Sequence, residues 1–319
     1  MMKQTMAKQF DILGLGCAAV DDLLYVASFP APNEKVKVER SLRRCGGLTA
    51  VALVAAARLG ARCAYAGRLG TDEFSQVVAE NFGREGVDIS LAPRSPAAGV
   101  VRSVIVVAGN SDSRNVFFEG RGEIGAHDVL PGEEVIRNSR VLFIDQWGMA
   151  GNLRAARAAR AAGVAVVCDL EEVNSPLFPQ VLAQVDHLIL ALDFAVRITR
   201  EADAAAAAAA LWREDRAVVL VTCGADGCWS VSAEAPREAR HHAAFAVPAA
   251  DTTGCGDVFH GAYAASLARG DPLATRIRFA AAAAALKAST NEIPRLKDVE
   301  LFLRNRLDGP CSLSVASAS

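Results

Sequence analysis

The sequence predicts an α/β fold in which a mainly parallel central sheet is covered by helices on both faces and carries a small β-sheet lid. Three observations lead there. Short β-rich runs alternate with alanine-rich helical ones, a pattern that needs parallel strands joined by crossover helices. Two segments, 17–45 and 99–118, break the alternation with β-patterned stretches that can join into one projecting sheet. At 319 residues, 52% of them hydrophobic, the chain is long enough to bury a large core.

In chain order, the apolar run Phe10 to Gly16 reads as a buried strand, and 17–45 follows as the first lid segment. Thr49 to Leu59 has helical composition and leads through Gly60 to a strand at Arg62 to Gly67. Glu73 to Glu85 is helical. Gly99 to Phe118 holds VVRSVIVV and RNVFF, two halves of a hairpin and the second lid segment. Val141 to Asp145, Val164 to Asp169, His187 to Leu190 and Ala217 to Thr222 are further buried strands. Leu153 to Ala162 and Ala202 to Glu214 are helices between them; the run Ala204 to Ala210 is simply a strong helix former. The chain reads as one domain over 1–309, and 310–319 reads as a disordered tail.

Charge and cysteine usage narrow the function. Thirty-four basic and 36 acidic residues are spread evenly for a net charge of −2, so no stripe or tail points to nucleic acid or a membrane surface. A small molecule is the expected partner. Eight cysteines form no C-x-x-C pair, and no apolar run reaches the ~18 residues of a membrane span, so the expected location is the cytoplasm.

The segment Asp251-Thr252-Thr253-Gly254-Cys255-Gly256-Asp257, running into VFHGAYAASLARG, carries the chemistry. Gly254 and Gly256 let successive backbone N–H groups point into one concavity, and a helix starting near Asp257 adds the positive end of its dipole. That is an anion hole. Asp257 at its rim can accept a proton from a hydroxyl attacking phosphorus. The bland reading of the same residues is a glycine turn with an aspartate N-cap.

The motifs resemble those of the ribokinase-like (PfkB) carbohydrate kinases over residues 10 to 305. GGLTAVALVAAARLGARCAYAGRLGTDEFSQ, Gly46 to Gln76, is similar to the family's amino-terminal glycine motif and its GxxGxDxxG element, with Ser75 replacing the last glycine. DTTGCGDVFHGA, Asp251 to Ala262, is similar to the carboxy-terminal signature, with Cys255 replacing alanine. The resemblance implies a three-layer α/β/α domain and an ATP- and Mg2+-dependent sugar kinase. It implies Asp257 as the base and the amides of Gly254, Cys255 and Gly256 as the phosphoryl cradle. Thr222, Gly224 and Gly227 in VTCGADG, together with Thr253, would border the nucleotide. Asp21, Gly46 and Gly47 would hold the sugar.

Departures qualify these expectations. Val51 stands where many members use asparagine on sugar hydroxyls, and the N-x-x-E element associated with Mg2+ aligns with Ala191 to Phe194, without either polar group. Asp169, Glu171 and Asp193 remain as carboxylates that could position Mg2+, against the readier reading of each as a plain surface carboxylate. The resemblance also raises a monovalent-cation site using Asp251 and Thr253, against which stands the missing glycine in LKASTNEIP. Some features resemble the sulfofructose-kinase-type branch, with Lys35 in the place of a lid lysine but Gln146 in the place of an arginine. Lys35, Arg102, Gln146 and Trp147 are thus the candidates for acceptor selectivity, Trp147 as a sugar-stacking ring or as core. Cys255 is expected either as a buried alanine substitute or as a reactive thiol activated by the helix end. His260, one turn after Asp257, is either packed or a proton relay. Homodimerisation through the lid edge is a further expectation. The alternative functions are a nucleoside kinase on the same scaffold and a noncatalytic sugar- or nucleotide-sensing homologue.

Overall fold

The computed structural model describes residues 8–109 and 113–306. The expected tail, 310–319, lies outside them, as does the short stretch 110–112 of the second lid segment. The strands are β1 (Phe10–Leu15), β2 (Ala19–Val26), β3 (Arg40–Gly46), β4 (Cys63–Tyr65), β5 (Val101–Ala108), β6 (Ser113–Gly120), β7 (Ser139–Asp145), β8 (Ala165–Asp169), β9 (His187–Ala191), β10 (Val218–Thr222), β11 (Cys228–Ser232) and β12 (Ala235–His242). The helices are α1 (Leu48–Arg58), α2 (Glu73–Glu85), α3 (Glu133–Arg137), α4 (Met149–Ala161), α5 (Phe178–Leu182), α6 (Leu192–Thr199), α7 (Ala204–Leu211), α8 (Cys255–Arg269), α9 (Leu273–Thr290) and α10 (Leu296–Arg304).

The large sheet has the order β12-β11-β10-β9-β8-β7-β1-β4. From β4 to β10 every pairing is parallel; β11 and β12 close one side as an antiparallel hairpin. Alternate strand residues feed two cores. Ile12, Phe143, Val167 and Ile189 pack with α1, α8 and α9 on one face, whereas Leu13, Leu142, Val166 and Leu188 pack with α4 to α7 on the other. This is why the strands read as unbroken apolar runs. From β1 the chain passes to β4 on one side and β7 on the other, so the order reverses there, and such a reversal opens a crevice at the carboxyl ends of the strands.

The two interrupting segments meet as expected. They form a second sheet of order β3-β2-β5-β6, with β2 and β5 parallel and the outer pairs antiparallel. Arg44, Asp21, Ser103 and Phe118 lie in register across all four strands and therefore share one face. Asp145 anchors the junction between the sheets. Its fully buried carboxylate accepts hydrogen bonds from the Cys17 N–H (2.7 Å), the Thr49 hydroxyl (2.8 Å) and the Trp147 N–H (2.8 Å). Burial nevertheless pushes its pKa up to about 6. Ser75, the substitute for a motif glycine, closes the turn before α2: its hydroxyl accepts from the Gly70 N–H and donates to the Asp72 carboxylate, which also caps the helix.

Candidate active site

Gly254 adopts the left-handed conformation (φ 76°), which a side chain would strain, and α8 starts at the next residue. Ahead of it, the Asp251 carboxylate accepts from the Thr253 N–H at 2.8 Å and curls the segment. Of the three expected anion-hole donors, the Cys255 N–H is already engaged with the Thr252 carbonyl, at 3.2 Å. First-turn N–H groups such as those of Gly256 and Asp257 have no intrahelical acceptor and remain to receive an anion.

Asp257 lies in this first turn, at the carboxyl ends of β7 and β8. Its pKa is raised well above the ordinary carboxylate range, first by burial and then by the charges of Asp169 and Glu171, with His260 opposing. Asp169, at the end of β8, is likewise raised, first by burial and then by the charges of Glu171 and Asp145, with the neighbouring Asp257 carboxyl opposing. Buried carboxyl groups this near repel when both are ionised, so the pair favours the singly ionised state. His260 is buried behind them. Its Nδ1 lies 2.8 Å from the Gly256 carbonyl and 3.3 Å from Asp169, and its Nε2 lies 3.2 Å from the Ile189 carbonyl.

The small sheet supplies the facing wall. Asp21 sits over Gly46 so closely that a Cβ there would be 2.0 Å from its Oδ2. Burial raises the pKa of Asp21, a hydrogen bond with Ser103 opposes the rise, and its charge reaches Asp257. Gly47 caps α1 beside this pair, where a side chain would strike the backbone of Ala18. Thr222 ends β10 next to Ala191, and Gly224 and Gly227 flank a single 3-10 turn closed by a Cys223 N–H to Gly227 carbonyl bond of 2.7 Å.

The selectivity residues scatter. Lys35 is exposed in the connection between β2 and β3. Arg102 does not face Asp21: strand alternation turns it to the opposite side of the small sheet, over the Phe74 ring (5.0 Å) and 3.9 Å from Asp22. Gln146 is buried at the end of β7, accepting from the Glu171 N–H at 3.1 Å. Trp147 packs with Cys17, Ala19, Val101 and Ile124, which favours its core reading. The Cys255 thiol departs from the activated reading, because burial raises its pKa and Asp251 and Asp257 raise it further against Lys287.

Neither metal expectation finds a protein cage. Among the described residues no group of three or more histidine, cysteine, aspartate or glutamate side chains converges as a metal site. Asp193, in the first turn of α6, lines a groove of about 590 Å³ with Asp203, Cys223, Asp226 and Trp229. Asp169 and Glu171 are the carboxylates near Asp257. The monovalent-cation site fits poorly, because Asp251 Oδ1 already accepts from the Thr253 N–H and its Oδ2 faces the Arg44 guanidinium at 4.0 Å. Two residues there escaped the sequence reading. Arg114 on β6 donates to the Thr253 hydroxyl at 2.9 Å, and Lys287 on α9 lies buried near Cys255. A lone lysine in the alanine-rich stretch AAAAALKAST was the available signal for the second.

The chain belongs to the pfkB family of carbohydrate kinases, whose model matches residues 15–292. It is 28% identical over 309 residues to the ribokinase of Haemophilus influenzae, covering 91% of this chain and 97% of that one. In structure it is similar to a putative ribokinase from Agrobacterium tumefaciens (TM-score 0.85, 24% identity, 94% and 99% of the two chains). It is also similar to Arabidopsis thaliana ribokinase complexed with ribose and ATP (TM-score 0.81, 22% identity, 94% and 99%). The fold is thus ribokinase-like. No helix among the described residues is long and apolar enough to cross a membrane.

Proposed function

We propose that this chain transfers the γ-phosphoryl group of ATP to a hydroxyl of a sugar or sugar derivative. The observation that carries this reading is the placement of Asp257, in the first turn of α8 and within electrostatic reach of Asp21 on the small sheet. Asp21 and the backbone at Gly46 and Gly47 hold acceptor hydroxyls. Asp257 takes the proton of the attacking hydroxyl while its oxygen forms the new bond to phosphorus; the bond to the bridging oxygen breaks and ADP leaves. First-turn amides of α8 bear the charge of the transferring group. Asp169 and Glu171, the carboxylates beside Asp257, would help hold Mg2+, which when bound would supply neutralisation of phosphate charge. The His260–Asp169 contact holds the partner of the base in place.

The small sheet acts as a lid that excludes water from this reaction, since an open site would hydrolyse ATP. Its edge strand β6 exposes Val116, Phe117 and Phe118, the last 58% accessible, which supports pairing of two copies through the lid. The seven described cysteines are all free, in keeping with a cytoplasmic setting. The test is ADP formation from Mg·ATP with ribose, fructose, sugar acids, sulfonated sugars and nucleosides as acceptors. We expect one sugar class to react and Asp257→Asn to lose at least ~10²-fold in turnover while still binding ATP. Near-normal turnover in that variant would reject the assignment, and reaction with nucleosides alone would move it to that class.

A further inference from the structure

The turn that presents the anion hole is braced by protein cations. Asp251 uses Oδ1 on the Thr253 N–H, and its Oδ2 lies 4.0 Å from Arg44 Nη1. The Ala288 carbonyl, near the end of α9, accepts from both the Ala250 N–H (2.7 Å) and the Asp251 N–H (3.2 Å). Asn291, the left-handed cap of α9 (φ 59°), offers its Oδ1 to Arg44 Nη1 at 3.0 Å and to Lys287 Nζ at 3.1 Å. The Ala288 carbonyl, Asp251 Oδ1 and Asn291 Oδ1 at the base of the turn therefore already face protein donors, and Asp251 Oδ2 faces the Arg44 guanidinium.

Lys287 is the unusual member. It is 5% exposed, and lysine is rarely so buried without a charged partner close by. Its hydrogen-bond acceptor here is a neutral amide oxygen shared with a second cation. Burial lowers its pKa, while Cys255, Asp251 and Glu292 favour the charged form and Arg44 opposes it. The ammonium lies at the carboxyl end of α9, where the helix dipole welcomes positive charge.

We propose that Lys287, with Arg44, is a tethered substitute for a free monovalent cation: it holds the Asp251–Cys255 turn in its phosphate-receiving shape, making nucleotide binding independent of added monovalent ions. This rests on the kinase reading of the same turn. Lys287 is a positioning residue, joined to β3 and the turn through Asn291, Arg44 and Asp251. A compact monovalent ion could occupy its charge position only once the ammonium is gone.

The experiment is calorimetric titration of ATP, without acceptor, into the full chain in potassium, sodium or tetramethylammonium chloride at equal ionic strength. The expected result is the same ATP affinity in all three salts for the wild-type protein. Lys287→Met is expected to lose at least about tenfold in tetramethylammonium and to recover part of the loss in potassium. Lys287→Arg should stay independent of the salt. A tenfold loss of wild-type affinity in tetramethylammonium would overturn the proposal, as would an unchanged Lys287→Met. If Lys287→Met does not fold, the wild-type salt series and Arg44→Met decide. Failure to bind ATP in any salt would instead sink the kinase reading, which keeps the two outcomes separate.

Discussion

Arg114 Nη1 donates to Oγ1 of Thr253 at 2.9 Å, joining the edge strand of the small sheet to the turn that opens α8. These residues are 139 positions apart. Their contact puts a guanidinium beside the place where nucleotide phosphates would land, and Arg binds such groups through paired donors.

Replacing it should therefore cost nucleotide more than stability. For Arg114→Ala we expect KM for ATP to rise by about tenfold, since a hydrogen bond to a charged group contributes on that scale. The thermal midpoint should be unmoved, because the contact is exposed. An unchanged KM would show that Arg114 holds only the hydroxyl.

Removing the charge of Asp169 should make Asp257 a stronger acid. Asp169 is the leading charged cause of the raised Asp257 pKa after burial, so Asp169→Asn should shift the acidic limb of the kcat/KM profile to lower pH. Activity then survives to more acidic conditions even if its plateau falls. A limb that stays in place, or moves up, would contradict the coupling of the two carboxyls.

Gly46→Ala tests the acceptor wall. The new Cβ would sit 2.0 Å from Asp21 Oδ2, so the carboxylate must turn away. Acceptor KM should rise by at least about tenfold, in line with a lost hydrogen bond to a charged group, with ATP affinity retained. Equal losses for both substrates would instead indicate general distortion.

His187 sets an acid-stability limit away from the site. Its ring is buried, with Nδ1 2.9 Å from the Tyr263 hydroxyl, and burial lowers its pKa to about 3 from 6.5. The unfolded chain gains this proton near pH 6.5 and the folded protein only near pH 3. Stability is therefore intact above 6.5 and falls as pH drops towards 3, by on the order of 5 kcal/mol in all. His187→Gln should flatten denaturant-derived stability across that window; an unchanged slope would remove His187 from the account.

The parallel strands were legible because both their faces are buried, so that β1, β7, β8 and β10 show as continuous apolar runs. The hairpin β11–β12 was harder: Trp229, Arg240 and His241 lie on a partly exposed edge, and their mixed polarity hides the pattern. Asp257, Gly254 and Asp21 were legible through local motif spacing. Arg102 was misdirected because a one-residue step along a strand reverses its face, which composition does not report. The Arg114–Thr253 and Lys287–Asn291–Arg44 contacts depend on how two sheets and a helix end approach one another. No local window contains that information.

Asp145 bears on how the small sheet can move. The chain leaves the large sheet at Cys17 and returns at Thr49, and both residues are bonded to this one carboxylate. Two positions later, Trp147 packs against Val101, Gly120 and Ile124, at the second pair of crossings. Any swing of the small sheet must pivot just beyond these four points, so Asp21, Gly46 and Ser103 travel as one unit while Asp257 stays still. The distance between the acceptor hydroxyl and its base is then governed by a single angular coordinate, whose axle is the three-residue stretch from Asp145 to Trp147.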